Sequence, residues 1–405
     1  MRFLTAGESH GPCLTVVVEG LPAGLPLQAA VLNADLVRRQ QGHGRGARQL
    51  IERDHVVFEA GVRLGVTTGA PVALRIENRD HASWALAMSP EPPDPSDDAR
   101  QAAIAERTIA RLRPGHADWA GAVKYGLSDV RDVLERASAR ETAARVAAGA
   151  IARVLLRALG IELTSHVVAI GAAALSPREA EAVAALPLEA LRGAAEGSPV
   201  RCAQPEAAAR MVAAIDAAAA AGTSLGGVVE VRTGPLPVGL GSHVHWDRRL
   251  DGRLAQAVVS IQALKGVSFG DGFALAGRTG QEAHDEFEAG FGRRSNRAGG
   301  LEGGMTNGQP LCLQAVMKPI STQARSLRGA DLGDGSAVEA HFERADTCAV
   351  PAAAVVAEAM VAWVLAEACV EKYGGDSLAE LLAHHAASEA LVGVRVPRPA
   401  EDAGR

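Results

Sequence analysis

Two histidines sit in glycine-bounded turns, Gly7-Glu8-Ser9-His10-Gly11 and Arg113-Pro114-Gly115-His116-Ala117-Asp118. An imidazole titrates near neutral pH, so each can hold or deliver a proton if partners fix it. A third loop, Arg38-Arg39-Gln40-Gln41-Gly42-His43-Gly44-Arg45-Gly46-Ala47-Arg48 and on to Arg53, concentrates cations. Guanidinium groups bind phosphate and carboxylate oxygens through paired hydrogen bonds, so this loop reads as a local anion site or, alternatively, as solvated basic surface. Arg136 and Arg140 are four apart and share one face if a helix has begun by Glu135; ordinary surface charge is the alternative. Glu343-Arg344-Ala345-Asp346 sets a carboxylate beside a guanidinium just ahead of a helix. Such a carboxylate stays ionised at neutral pH, which suits a base and equally a salt bridge.

Several other chemistries are disfavoured. The Gly42-x-Gly44-x-Gly46 spacing follows no apolar strand, so a dinucleotide-binding turn fails its own context. None of the four lysines follows a glycine, which removes the phosphate-binding Gly-Lys-Ser/Thr loop. His243 and His245 would share one face of a strand, but no third ligand stands at a useful spacing, so no metal is expected; Asp247 is expected to cap the next helix. Five cysteines, widely spaced, predict reduced packed thiols. Of 41 basic residues 37 are arginine, yet the net charge is −6, so any anion site must be local and no nucleic-acid surface is expected. The glycine-dense run 293–308 should lie flat against a ligand or another backbone.

The elements that must position these loops follow from pattern. Runs at 14–18, 72–76, 166–170, 227–232 and 311–317 are apolar or alternating and predict strands. Helix signals run from about Glu135 to Leu159 with Gly160 as the stop, after Ser176-Pro177, from Pro205 to Gly222, across 247–264, and from Pro351 to Lys372. Their irregular order predicts an α+β fold rather than a doubly wound sheet. The Pro- and acid-rich stretch 89–98 predicts an exposed connection. Length alone suggests two or three domains, and 48% apolar with 22% charged residues suggests a globular chain. No run reaches the ~18 uninterrupted apolar residues of a membrane span, and the first residues leave no room for a secretory apolar segment, so a cytoplasmic protein without a membrane partner is expected.

Taken in order, Gly-Glu-Ser-His-Gly, Gly-His-Gly-Arg-Gly-Ala-Arg, Gly-Val-Thr-Thr-Gly-Ala-Pro at 65–71, Arg-Pro-Gly-His-Ala-Asp and Glu-Arg-Ala-Ser-Ala-Arg-Glu-Thr resemble the chorismate synthase family. So do Arg-Ser-Asn-Arg-Ala-Gly-Gly-Leu-Glu-Gly-Gly, Met-Lys-Pro-Ile-Ser-Thr and Arg-Ala-Asp-Thr-Cys-Ala-Val-Pro, extending the resemblance to about residue 375. It implies one β-α-β sandwich domain over 1–390 with a flexible tail over 391–405, assembling as a homotetramer. The implied reaction is the anti-1,4-elimination of phosphate from 5-enolpyruvylshikimate 3-phosphate, giving chorismate, in the shikimate pathway to aromatic amino acids. It requires reduced FMN (FMNH2) without net redox change, supplied by a separate flavin reductase.

The resemblance implies site residues as well. His10 protonates the departing phosphate, His116 keeps the reduced flavin correctly protonated, and Asp346 assists flavin N5 in removing the C6 proton. Substrate is held by Ser9, Arg39, Arg45, Arg48, Arg113, Arg140 and Arg344. Cofactor contacts fall to Arg136, Ala137, Ser138, Gln262, Ala263, Gly303, Lys318, Pro319, Ile320, Ser321, Thr322 and Arg344. Ala345 stands where the family often has serine, so a proton relay here runs through water or Asp346. Two rivals remain: an NADPH-dependent flavin reductase, for which no dinucleotide fingerprint speaks, and an RNA-binding protein using the 38–53 loop.

Overall fold

A computed structural model describes residues 1–46, 52–343 and 346–395, leaving Arg48, Arg344 and Ala345 outside the described residues. The strands β1 (Arg2–Ala6), β2 (Cys13–Glu19), β3 (Val56–Ala60) and β4 (Val72–Glu77) pair antiparallel in the order β1-β2-β4-β3. Alternation decides which face is inside: Leu14, Val16 and Val18 on β2 and Val72, Leu74 and Ile76 on β4 are all buried. A second antiparallel sheet takes β5 (Leu163–Ile170), β6 (Ala173–Ala174), β7 (Gly227–Pro235), β8 (Leu264–Phe269) and β9 (Pro310–Met317) in the order β8-β9-β7-β5-β6.

The main helices are α1 (Ala29–Gln40), α2 (Asp98–Arg107), α3 (Asp118–Tyr125), α4 (Arg131–Ala137), α5 (Thr142–Ala158), α6 (Pro177–Ala184), α7 (Leu188–Glu196), α8 (Pro205–Ala220), α9 (Leu250–Val259), α10 (Val350–Tyr373) and α11 (Leu378–Arg395). Helix α5 packs on β1 and β2, α10 packs on β5, β7 and β9, and the two helices pack on each other with α1 alongside. Small side chains permit this. A Cβ at Gly149 would stand 2.4 Å from the Cβ of Ala359 and 2.5 Å from its carbonyl oxygen, so α5 and α10 touch at their backbones. By length and composition α10 could cross a membrane, with a mean hydropathy of 1.9, but 89% of that apolar window is buried inside the fold. It is the core helix.

Carboxylates lie within this apolar layer, Glu358 and beside it Asp35. Glu358 of α10 is 1% exposed and accepts from Arg38 Nη1 and Nη2, both at 2.9 Å, and from Ser165 Oγ at 2.7 Å. Arg153 of α5 reaches it at 3.2 Å and Asp35 at 2.5 Å. Burial pushes the Glu358 carboxyl up, but Arg153 and Arg38 outweigh it and hold it at about 2.

The mixed order of helices and strands is α+β, as expected. Four strands without a clear sequence signal, β1, β3, β6 and β8, join those predicted. The single helix expected over Glu135–Leu159 is instead α4, a 3-10 turn at Ala139–Glu141, and α5. Ser138 causes the break: its backbone is extended, with φ −62° and ψ 142°, and its hydroxyl accepts from the Arg140 amide at 3.2 Å. The helix expected over 247–264 is only α9, followed by β8. Asp247 does not cap it; its carboxylate meets His245 Nδ1 at 2.7 Å, and Arg249 is the residue at the cap. The 293–308 run does lie against backbone. A Cβ at Gly299 would be 2.2 Å from the Gly270 amide nitrogen. Helix α11 continues past residue 390 to Arg395.

A depressed carboxylate pKa stabilises the folded state above its ordinary value and loses that contribution as pH falls through the folded value. Glu358→Gln should therefore cost about 3 kcal/mol near pH 7 in denaturant titrations. The gap to wild type should close as pH falls from 4.5 toward about 2. A gap independent of pH would contradict the assignment.

Candidate active site

The start of α10, the 3-10 turn before α5, the β8 and β9 ends and the 7–11, 42–46 and 113–118 turns enclose a cavity of about 240 Å³. Its polar wall carries Ser9, His10, Arg39, Arg45, Arg113, His116, Ser138, Arg140 and Asp346; its apolar wall carries Ile261, Ala263, Met317, Ile320, Ala349, Ala352, Ala353 and Val356.

Apart from Arg45, which pairs with the half-buried Asp346, each cation is held from behind by a buried carboxylate. Asp54, 1% exposed, accepts from Arg39 Nη1 at 3.2 Å and from Arg140 Nη1 at 2.5 Å. Arg39 also donates to Thr142 Oγ1 at 2.9 Å, and Arg140 to Asn78 Oδ1 at 2.8 Å. Burial, and then the neighbouring guanidiniums of Arg140 and Arg45, pull Arg39 down to about 10 against the attraction of Asp54; it keeps its charge at neutral pH. Asp118, fully buried, accepts from Arg113 Nε and Nη2, both at 2.9 Å, and pairs with His116 Nδ1. Burial would raise its carboxyl, but His116 and Arg113 hold it well below the usual range. Glu135, 2% exposed, pairs with His10 Nδ1 at 2.7 Å. Asp346 accepts from the Gly46 amide and meets Arg45 Nη1, both at 2.6 Å, so it pairs with Arg45 and docks the 42–46 turn onto the approach to α10.

The cavity thus gathers most of the expected residues, including Gln262, Ser321 and Thr322. Ala263 has φ +66°, a conformation that lets the chain leave α9 and enter β8 while presenting Gln262 and Ala263 to the cavity. Others lie elsewhere. Arg136 does not share a face with Arg140, because the break at Ser138 separates them. It donates instead to the carbonyls of Thr5 at 2.9 Å and Gly7 at 3.2 Å, bracing the turn that carries Ser9 and His10. Ala137, Pro319 and Lys318 are not on the lining, and Lys318 Nζ donates to the Gly115 carbonyl. Gly303 turns a hairpin between Leu301–Glu302 and Met305–Thr306 and is off the lining too. His43, inside the cationic loop, points to Asp216 at 2.6 Å on the surface. Arg38 belongs to the Glu358 network.

The side-chain atoms buried without a hydrogen-bond partner among the described residues include Arg45 Nε and Gln262 Oε1, both on lining residues. A buried donor and a buried acceptor in this condition are costly unless a ligand meets them. Sequence reasoning missed Asp54, Glu135, Glu343 and Trp84. Glu135 and Glu343 stood inside quoted motifs, whereas Asp54 and Trp84 had no signal of their own.

Comparison with known proteins places this geometry. The sequence profile of the chorismate synthase family matches residues 1–370. The chorismate synthase of Symbiobacterium thermophilum is 54% identical over 386 residues, 94% of this chain and 97% of that one. That of Acidothermus cellulolyticus is 55% identical over 386 residues, 94% and 96% of the two. A crystal structure of a chorismate synthase superposes with a TM-score of 0.76 at 40% identity, covering 97% of this chain and 98% of that one. The chain belongs to the chorismate synthase family.

Proposed function

We propose that this chain converts 5-enolpyruvylshikimate 3-phosphate to chorismate and phosphate by anti-1,4-elimination, a carbon–oxygen lyase of the shikimate pathway working in the cytoplasm with reduced FMN. The observation that carries this is a single cavity joining four guanidiniums, two carboxylate-backed imidazoles and Asp346 to an apolar wall. A phosphate and two carboxylates on one small molecule need several fixed donors in a water-poor site, and Arg39, Arg45, Arg113 and Arg140 supply them. Arg48 and Arg344, assigned to the same task by family resemblance, lie outside the described residues. With Nδ1 on Glu135, His10 offers Nε2 to the departing phosphate oxygen, and the Ser9 hydroxyl, 3.1 Å from Ser138 Oγ, orients it. His116, backed by Asp118, is the second proton-holding imidazole. Asp346 is the base.

The cofactor fits the residues present. The small side chains Ala263, Ala349, Ala352 and Ala353 offer an apolar wall to a planar ring, Gln262 Oε1 is an unpaired buried acceptor, and Ser321 and Thr322 on the lining can hold the polar chain. When bound, reduced FMN supplies electron density that weakens the allylic C–O bond without net redox change. A homotetramer of sheet-helix-sheet subunits served by a separate flavin reductase completes the proposal.

An anaerobic assay with chemically reduced FMN and no NADPH should release phosphate and chorismate in equal amounts. No release under those conditions would contradict the proposal. Asp346→Asn keeps size and hydrogen bonding but cannot accept a proton, so turnover should fall by ~10²–10⁴ while substrate and reduced FMN bind with near-normal affinity. Loss of affinity or folding with turnover otherwise kept would leave Asp346 only its anchoring of Arg45 and Gly46.

A further inference from the structure

Every part of His10 except one ring edge is engaged. Glu135 Oε2 accepts from the His10 amide at 2.6 Å and Oε1 bonds the ring at Nδ1, 2.7 Å away, so one carboxylate grips both backbone and imidazole. His81 Nδ1 donates to the His10 carbonyl at 2.9 Å. Trp84 stacks on the imidazole with ring centroids 4.0 Å apart and planes 24° from parallel. Nε2 is the nitrogen left to meet a reactant. Burying Glu135 to 2% exposure is costly unless its charge is matched, and the ring, at 2.7 Å, is a closer side-chain partner than Arg131 at 3.4 Å.

The remaining charges around the imidazole are of both signs: Glu52, Glu343 and Asp346 line the cavity, and guanidiniums stand nearest Glu135 and Trp84. Arg131, one turn before Glu135 on α4, stands 3.4 Å from Glu135 Oε1 and 2.7 Å from Glu343 Oε1. Arg107 of α2 and Arg131 lie 4.3 and 4.9 Å from the Trp84 ring centroid. Arg113 and Arg140 line the same cavity, and His81 adds charge when protonated. Among the described residues, Glu135 is the carboxylate in direct contact with the ring.

We infer that Glu135 and Trp84 are positioning residues for the phosphate-leaving step, Glu135 holding the proton on Nδ1 and stabilising the imidazolium, Trp84 fixing the ring plane so that Nε2 meets the leaving oxygen. This assignment rests on the proposed acid role of His10. In that step the Nε2 proton passes to the ester oxygen as the C–O bond breaks and its electron pair stays on oxygen; the neutral imidazole keeps Nδ1–H on Glu135 and regains a proton from water. Glu135 sets the acidity and Trp84 the aim.

The test is the pH dependence of kcat and kcat/KM with saturating reduced FMN for wild type, Glu135→Gln, Glu135→Asp, Trp84→Phe, Trp84→Ala, His10→Ala and the His10→Ala/Glu135→Gln double variant. Removing the carboxylate takes away the anion in contact with the imidazolium, so in Glu135→Gln the alkaline limb should move down by about one pH unit or more, with kcat lowered and KM little changed. Glu135→Asp should shift it less, Trp84→Ala should lower kcat with Trp84→Phe restoring most of it, and the double variant should be no slower than His10→Ala. An unmoved limb in Glu135→Gln, equal shifts in Gln and Asp, or a further loss in the double variant would overturn the assignment with His10's role intact. Normal turnover in His10→Ala would remove the acid role itself.

Discussion

Guanidinium groups can be buried together only where carboxylates neutralise them, and this pairing is the constraint on which the cavity depends. Asp54 bridges Arg39 and Arg140, Asp118 bridges Arg113 and His116, and Glu135 serves His10 with Arg131 at its edge. The carboxylates sit deeper than the cations they hold. The donors are therefore fixed in place before any anion arrives, the condition under which electrostatic stabilisation costs no reorganisation.

The same rule ties the cavity to the core. Arg38 and Arg39 are adjacent on α1 but diverge, Arg38 to Glu358 between α1, α5 and α10, and Arg39 to Asp54 beneath the cavity. A shift of α1 along α5 would break both pairs. The small-residue contact at Gly149 and Ala359 brings α5 and α10 to backbone distance, and the first turns of α10 then supply Ala349, Ala352, Ala353 and Val356 to the apolar wall. Core packing and site geometry share one helix layer.

Sequence made legible what lies in contiguous loops. His10, His116, Arg45 and Asp346 were readable because each stands beside glycine, proline or another charge in an irregular stretch, and the cavity unites them. What sequence hid was pairing at a distance. Asp54 lies 15 residues from one partner and 86 from the other, and Glu358 lies in an apolar helix 320 residues from Arg38. Arg136 and Arg140 misled for a local reason: helical spacing presumes an unbroken helix, and the Ser138 hydroxyl competes for the backbone there. β8 escaped because Lys265 and Gly266 dilute its alternation, and its edge position leaves it weakly patterned.

The central question is whether the carboxylates behind the cations make the anion site. Calorimetric titration of 5-enolpyruvylshikimate 3-phosphate into wild type and Asp54→Asn, with circular dichroism to confirm that the variant is folded, addresses this most directly. Asn keeps the shape of Asp54 but not its charge, so Arg39 and Arg140 lose their common anchor. A folded Asp54→Asn should bind substrate at least about tenfold more weakly, some 1.4 kcal/mol. Unchanged affinity in the folded variant would show that the arginines need no such support.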